Sequence, residues 1–99
     1  MYIGKVEIND TWQKLEDLVK GIDGQSSFAF DSDKKYQLQY EGDFGARFCE
    51  SATTPDDKNE GFCIVDTQIA YFKPDASQDL YVKTKHGNFG FLKVGELAE

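Results

Sequence analysis

The chain is poor in the residues that most enzymes and nucleic-acid binders depend on. It has one histidine, His86, one arginine, Arg47, two cysteines, two prolines, and no long uninterrupted apolar run. A single histidine leaves little room for a nucleophile–base pair, since a serine, threonine or cysteine needs a neighbouring base to attack at neutral pH. Eleven lysines and arginines against 18 acidic residues give a net charge of −7, whereas phosphate backbones are held by clustered cations, so a nucleic-acid surface is not expected. No stretch approaches the roughly 18 apolar residues that read as a spanning helix, and no membrane partner is expected. The first residues show neither a basic start nor an apolar core of the signal-peptide kind. The reading therefore places the protein where it is made, in cytoplasm or in something assembled there.

Aromatic residues, by contrast, are plentiful: eight Phe, five Tyr and Trp12 among 99 residues. Acidic disordered chains are depleted in such residues, so this one is expected to fold, and its length suits one domain. Tyr2, Gly4, Val6 and Ile8 alternate with Ile3, Lys5 and Glu7 and predict a short strand. Asp10 followed by Gln13 has the spacing of a capping box, and Trp12, Leu15, Leu18, Val19 and Ile22 recur at helical spacing. A helix is expected over residues 11–20, with Glu16 four places before Lys20 and Gly21 as its stop.

Beyond Ile22 the period becomes two, interrupted by turn-rich segments. Strands are expected over residues 35–40, 44–50, 62–65, 68–72, 80–84 and 88–94, with a brief extended piece at 28–30. The second of these reads as the hairpin partner of the first, and Lys85-His86-Gly87 as a tight hairpin turn. The connections are too short for crossover helices. The expected fold is mainly β: an antiparallel β-sandwich or small barrel of six to seven short strands with one N-terminal α-helix. The whole chain reads as one domain, with a strand and helix over 2–22, a sandwich over 28–95 and a frayed tail over 96–99.

Chemistry-bearing clusters are few. Asp56, Asp57 and Glu60 share a polar loop, where carboxylates are ordinarily solvated and lack the burial that raises a pKa. Asp31-Ser32-Asp33 opens like a calcium loop, but Lys35 and Tyr36 occupy the positions where an EF-hand needs an oxygen ligand and a glycine. No catalytic, metal or cofactor site is expected. Cys49 and Cys63 match neither a redox nor a zinc motif, which leaves two readings: buried reduced thiols, or a bridge between adjacent strands. Most aromatics at alternating positions belong to a core. Some strands, however, are apolar on both sides, and Tyr71, Phe72, Tyr81, Phe89 and Phe91 are the candidates for a partner interface.

Tyr36-Gln37-Leu38-Gln39, Phe48-Cys49-Glu50, Pro55 and Gly61, Ala70-Tyr71-Phe72-Lys73-Pro74 and Leu80-Tyr81-Val82-Lys83 together resemble a pattern of small structural proteins of tailed bacteriophages and prophages. The Trp-Gln-Lys-Leu-Glu-Asp-Leu segment that begins at Trp12 resembles the openings of such proteins. The resemblance spans roughly residues 10–95. It implies a non-enzymatic β-sandwich virion component, such as a capsid decoration, head-fibre or tail-associated protein, that assembles with itself or with other virion proteins. The alternative expectation is a small acidic cytoplasmic binding module or inhibitor from a prophage or mobile element, steered by its charge toward a basic host protein.

Overall fold

The computed structural model describes residues 1–56, 61–65, 67–85 and 89–97. In chain order they form β1 (Tyr2–Ile8), β2 (Gln13–Lys14), α1 (Leu15–Lys20), β3 (Tyr36–Glu41), β4 (Ala46–Ser51), β5 (Phe62–Ile64), β6 (Ile69–Phe72), β7 (Asp79–Thr84) and β8 (Gly90–Glu96). The strands make two four-stranded sheets, ordered β1-β8-β3-β6 and β2-β7-β4-β5, and every pairing is antiparallel. The fold is thus the expected mainly-β sandwich, with one strand more than the alternation suggested: the two-residue β2.

Alternation explains the core. In β3, Tyr36, Leu38 and Tyr40 are all buried and face Val94 and Leu92 of β8 along the same side of the sheet. From the other sheet, Ala46 and Phe48 of β4 and Val82 of β7 meet them, and Ile8, Val6 and Ile64 complete the same cluster. Phe30 sits edge-on to Tyr36 and to Phe72 with ring centroids 4.8 and 5.1 Å apart, so the segment at 28–30 contributes packing without joining a sheet.

The structure corrects several local expectations. The helix is only Leu15–Lys20, because Gln13 and Lys14 are drawn into the ladder opposite Val82 and Tyr81. Asp10 and Gln13 consequently form no capping box. Asn9 closes the turn instead, its Oδ1 accepting from Thr11 N at 3.0 Å and Thr11 Oγ1 at 2.6 Å. Trp12 leaves the helical stripe and lies 5.8 Å from the buried Lys83 ammonium, and Glu16 accepts from Phe30 N at 2.9 Å.

At the start of β1 a register shift between Tyr2 and Gly4 turns Ile3 inward and Tyr2 outward, which breaks the expected shared face of Tyr2, Gly4, Val6 and Ile8. Neither expected hairpin exists as a pairing. β3 and β4 lie in different sheets, and so do β7 and β8. The chain arches between sheets through Phe44 and Gly45, at φ 64° and 100°, and His86, Gly87 and Asn88 fall outside the described residues.

Nor is the C-terminal segment frayed at 96–97. Glu96 N donates to Met1 O at 2.7 Å, the Met1 ammonium donates back to Glu96 O, and Leu97 N donates to Lys35 O at 2.9 Å. Residues 98–99 lie outside the described part.

Lys34 Nζ reaches Glu96 Oε1 at 3.3 Å, and its hydrogen bond to that carboxylate, aided by the charge, holds the lysine above its ordinary 10.5. A raised folded-state pKa means the pair's contribution is complete below the unfolded value and disappears as pH rises through the folded one. Glu96→Gln is expected to bring Lys34 back toward 10.5 in a carbon-detected NMR titration; an unchanged Lys34 would show that the pair does not form in solution.

Candidate functional site

The two sheets are closed differently at their two sides. On one side α1 packs against β1, β2 and β7, with Leu15 and Val19 buried and Leu18 and Ile22 against the core. On the other, the edge strands β5 and β6 flank an open cleft of about 340 Å³. Its walls are core side chains seen end-on: Leu38, Phe48, Ile64, Ala70, Phe72 and Leu80. Phe62 and Tyr71 stand at its rim, and among the described residues Glu50 is its only charged lining residue.

Phe62 is the most telling residue of this corner. It pairs with Phe48 in the β4–β5 ladder and so shares the core-facing side of its sheet, yet it is 82% exposed. The short β6 does not reach over it. Contiguous exposed apolar surface of this kind, rimmed by polar residues, marks association sites on monomers. An edge as short and uncharged as Phe62-Cys63-Ile64 also lacks the lysines and prolines that usually discourage pairing.

The five candidate interface residues do not come together. Tyr71, 63% exposed, belongs to this corner. Phe72 sits behind it, half-buried in the ring cluster with Phe30 and Tyr36. Tyr81 is only 4% exposed and is removed from any free surface. Phe89 and Phe91 contact each other edge-on at 6.4 Å beside the β3–β4 arch, where Lys5 Nζ lies 4.9 Å from the Phe91 ring. They form a separate small patch, with Phe89 64% exposed. Phe62 was missed because a three-residue apolar segment reads as buried. The available signal was its brevity beside a long polar loop, which marks an edge too short to be covered.

Several other polar groups are occupied with local structure. Asp31 Oδ1 accepts from Asp33 N at 2.9 Å, an Asx turn, while Asp31 N donates to the Tyr36 hydroxyl at 3.0 Å. Asp75 Oδ1 takes both the N–H and the hydroxyl of Ser77, which lowers its pKa from the ordinary 3.8. A second cleft, of about 270 Å³, has Glu16, Glu50, Asp75 and Asp79 at its mouth, with Lys14 bound to Asp79 at 3.5 Å. Among the described residues no group of three or more His, Cys, Asp or Glu side chains gathers in a metal-binding arrangement. Asp57, Glu60 and His86 lie outside the described residues. Cys49 and Cys63 sit on adjacent strands without a disulfide. The reading of both as buried thiols is corrected, since Cys63 is exposed and Cys49 half-buried. Among the described residues no helix is long and apolar enough to cross a membrane.

The fold and this corner define an antiparallel β-sandwich with one side left open between its edge strands. Comparison with models of known protein families, with curated protein sequences and with solved structures finds no match to the chain.

Proposed function

We propose that the chain is a non-enzymatic assembly protein, a structural component of a tailed phage or prophage particle, that docks through the corner between β5 and β6. The observation that carries the assembly part is Phe62, a core-facing side chain left 82% in solvent beside an apolar cleft. Burying a phenylalanine is worth about 1.5–3 kcal/mol, so a partner that covers it gains a substantial contact. The particle part rests on the resemblance carried by Tyr36–Gln39, Ala70–Pro74 and Leu80–Lys83. Decoration, head-fibre and tail-associated roles are its members.

Mass spectrometry of particles purified from a producing strain tests this reading. The chain is expected in them at a level comparable to other structural components, and Phe62→Asp is expected to lower its incorporation at least tenfold. Absence of the parent chain from particles whose other proteins are readily detected would overturn it.

The acidic mouth of the second cleft favours a second reading, an inhibitor of a basic host protein. Such binding would weaken steeply with ionic strength, whereas association through the apolar corner would tolerate salt.

A further inference from the structure

We infer that Cys49 and Cys63 form a thiol–disulfide switch across β4 and β5, in which Cys63 reacts first and Cys49 closes the bridge. Arg47 pairs with Cys63 in the β4–β5 ladder, and Cys49 follows two residues after Arg47. Alternation therefore sets both thiols on one face of the sheet, as diagonal neighbours on adjacent strands. A Cβ added at Gly61 would lie 3.2 Å from Cys49 Cβ, so a glycine stands across from Cys49. No side chain at that place separates the two sulfurs. The switch needs nothing of the docking reading, because Phe62 projects from the other face of β5.

Burial divides the work between the two thiols. Neither is in a disulfide; Cys63 is exposed and Cys49 half-buried. An external disulfide such as oxidised glutathione thus meets Cys63 first, and a thiol poised beside an accessible one is the usual arrangement of a redox pair. The Cys63 thiolate attacks one glutathione sulfur, forms a mixed disulfide and expels a glutathione thiolate. The Cys49 thiolate then attacks the Cys63 sulfur, forms the Cys49–Cys63 bond and releases the second glutathione thiolate. Two chain thiols are oxidised, one glutathione disulfide is reduced to two thiols, and the two protons pass to them.

Closing the bridge acts on the edge strand. Diagonal neighbours have Cα atoms about 7–8 Å apart, which is about 1 Å beyond the ordinary reach of a disulfide, so β5 must be drawn toward β4. It can yield, being three residues long and paired on one side only. Oxidation then ties through a covalent bond a strand that a short ladder otherwise holds, and with it the backbone that carries Phe62.

The full chain is treated with oxidised glutathione and mapped by mass spectrometry without reduction. The parent is expected to end lighter by two hydrogens, with the Cys49 and Cys63 peptides joined although trypsin cuts between them at Lys58, and to return to its first mass with dithiothreitol. Cys49→Ser is expected to stop at a glutathione adduct on Cys63, and Cys63→Ser to react much more slowly. In the oxidised parent, amide exchange in the β4–β5 ladder should slow by about tenfold while β3 and β8 keep their rates. A parent that retains glutathione on Cys63 beside a reduced Cys49, or that links instead to a second copy, overturns the inference. So does a first adduct on Cys49, or a bridge that leaves β4–β5 exchange unaltered.

Discussion

Tyr40→Ala is expected to destabilise the fold by about 3–5 kcal/mol, the range for removing a buried aromatic ring. Tyr40 is fully buried in β3, opposite Leu92 of β8, and its hydroxyl donates to Asp43 O at 3.0 Å. The ring also fits closely against backbone. A Cβ at Gly90 would come within 2.4 Å of the hydroxyl oxygen, so glycine there is a condition for housing the tyrosine. Since a domain of this size is held by only about 5–15 kcal/mol, Tyr40→Ala should move the urea midpoint far enough to leave a measurable unfolded fraction in buffer.

Tyr40→Phe separates packing from hydrogen bonding. It keeps the ring and removes the donor to Asp43 at the start of the arch into β4, and should cost about 0.5–1.5 kcal/mol. If the two variants are equally destabilised, the hydroxyl rather than the ring dominates and the packing account is wrong.

Gly61→Ala is expected to cost about 3 kcal/mol or more, combining left-handed strain of roughly 1–3 kcal/mol with a steric clash. Gly61 has φ +86°, and an added Cβ would lie 1.9 Å from the Phe48 carbonyl oxygen. The carbonyl belongs to β4 itself and cannot yield without breaking the ladder that holds β5. The change should therefore fall first on the edge strand. Hydrogen exchange at the β4–β5 ladder is expected to accelerate more than exchange in β3 and β8, and on the proposed assembly role incorporation into particles should fall with it. Parent-like stability in Gly61→Ala would mean that β5 does not enter the sheet in the way its register implies.

These two positions also show what local pattern can and cannot convey. Tyr36, Leu38 and Tyr40 were legible as one buried face because alternation is a property of adjacent residues, and the sheet needs nothing more to sort inside from outside. The helix was legible only in part. Leu15, Leu18, Val19 and Ile22 keep helical spacing, but Gln13 and Lys14 are taken by pairing with β7, a partner nearly seventy positions away along the chain. The hairpins failed for a related reason. A short turn-rich link suits either a hairpin or an arch between sheets, and the choice between them depends on which strands lie to either side.

The same distinction divides the candidate site. Tyr71 was visible as an aromatic on a strand apolar on both sides, whereas Tyr81, with the same local pattern, is buried. Both are tyrosines in apolar strands, and only the neighbours differ: β6 is an edge, and β7 is central in its sheet. Phe62 is the converse case, apolar, inward by register and nonetheless in solvent.

By itself, then, the amino-acid order determined that this protein is an antiparallel β structure with Tyr36, Leu38 and Tyr40 on one face of a strand, since side-chain alternation and turn chemistry act over a few residues. Only the tertiary structure decided that α1 shuts one side of the sandwich and that Phe62 and Tyr71 border an opening on the other. Whether an inward-facing side chain is covered depends on how far the opposite sheet extends, and that is set by strands distant in sequence.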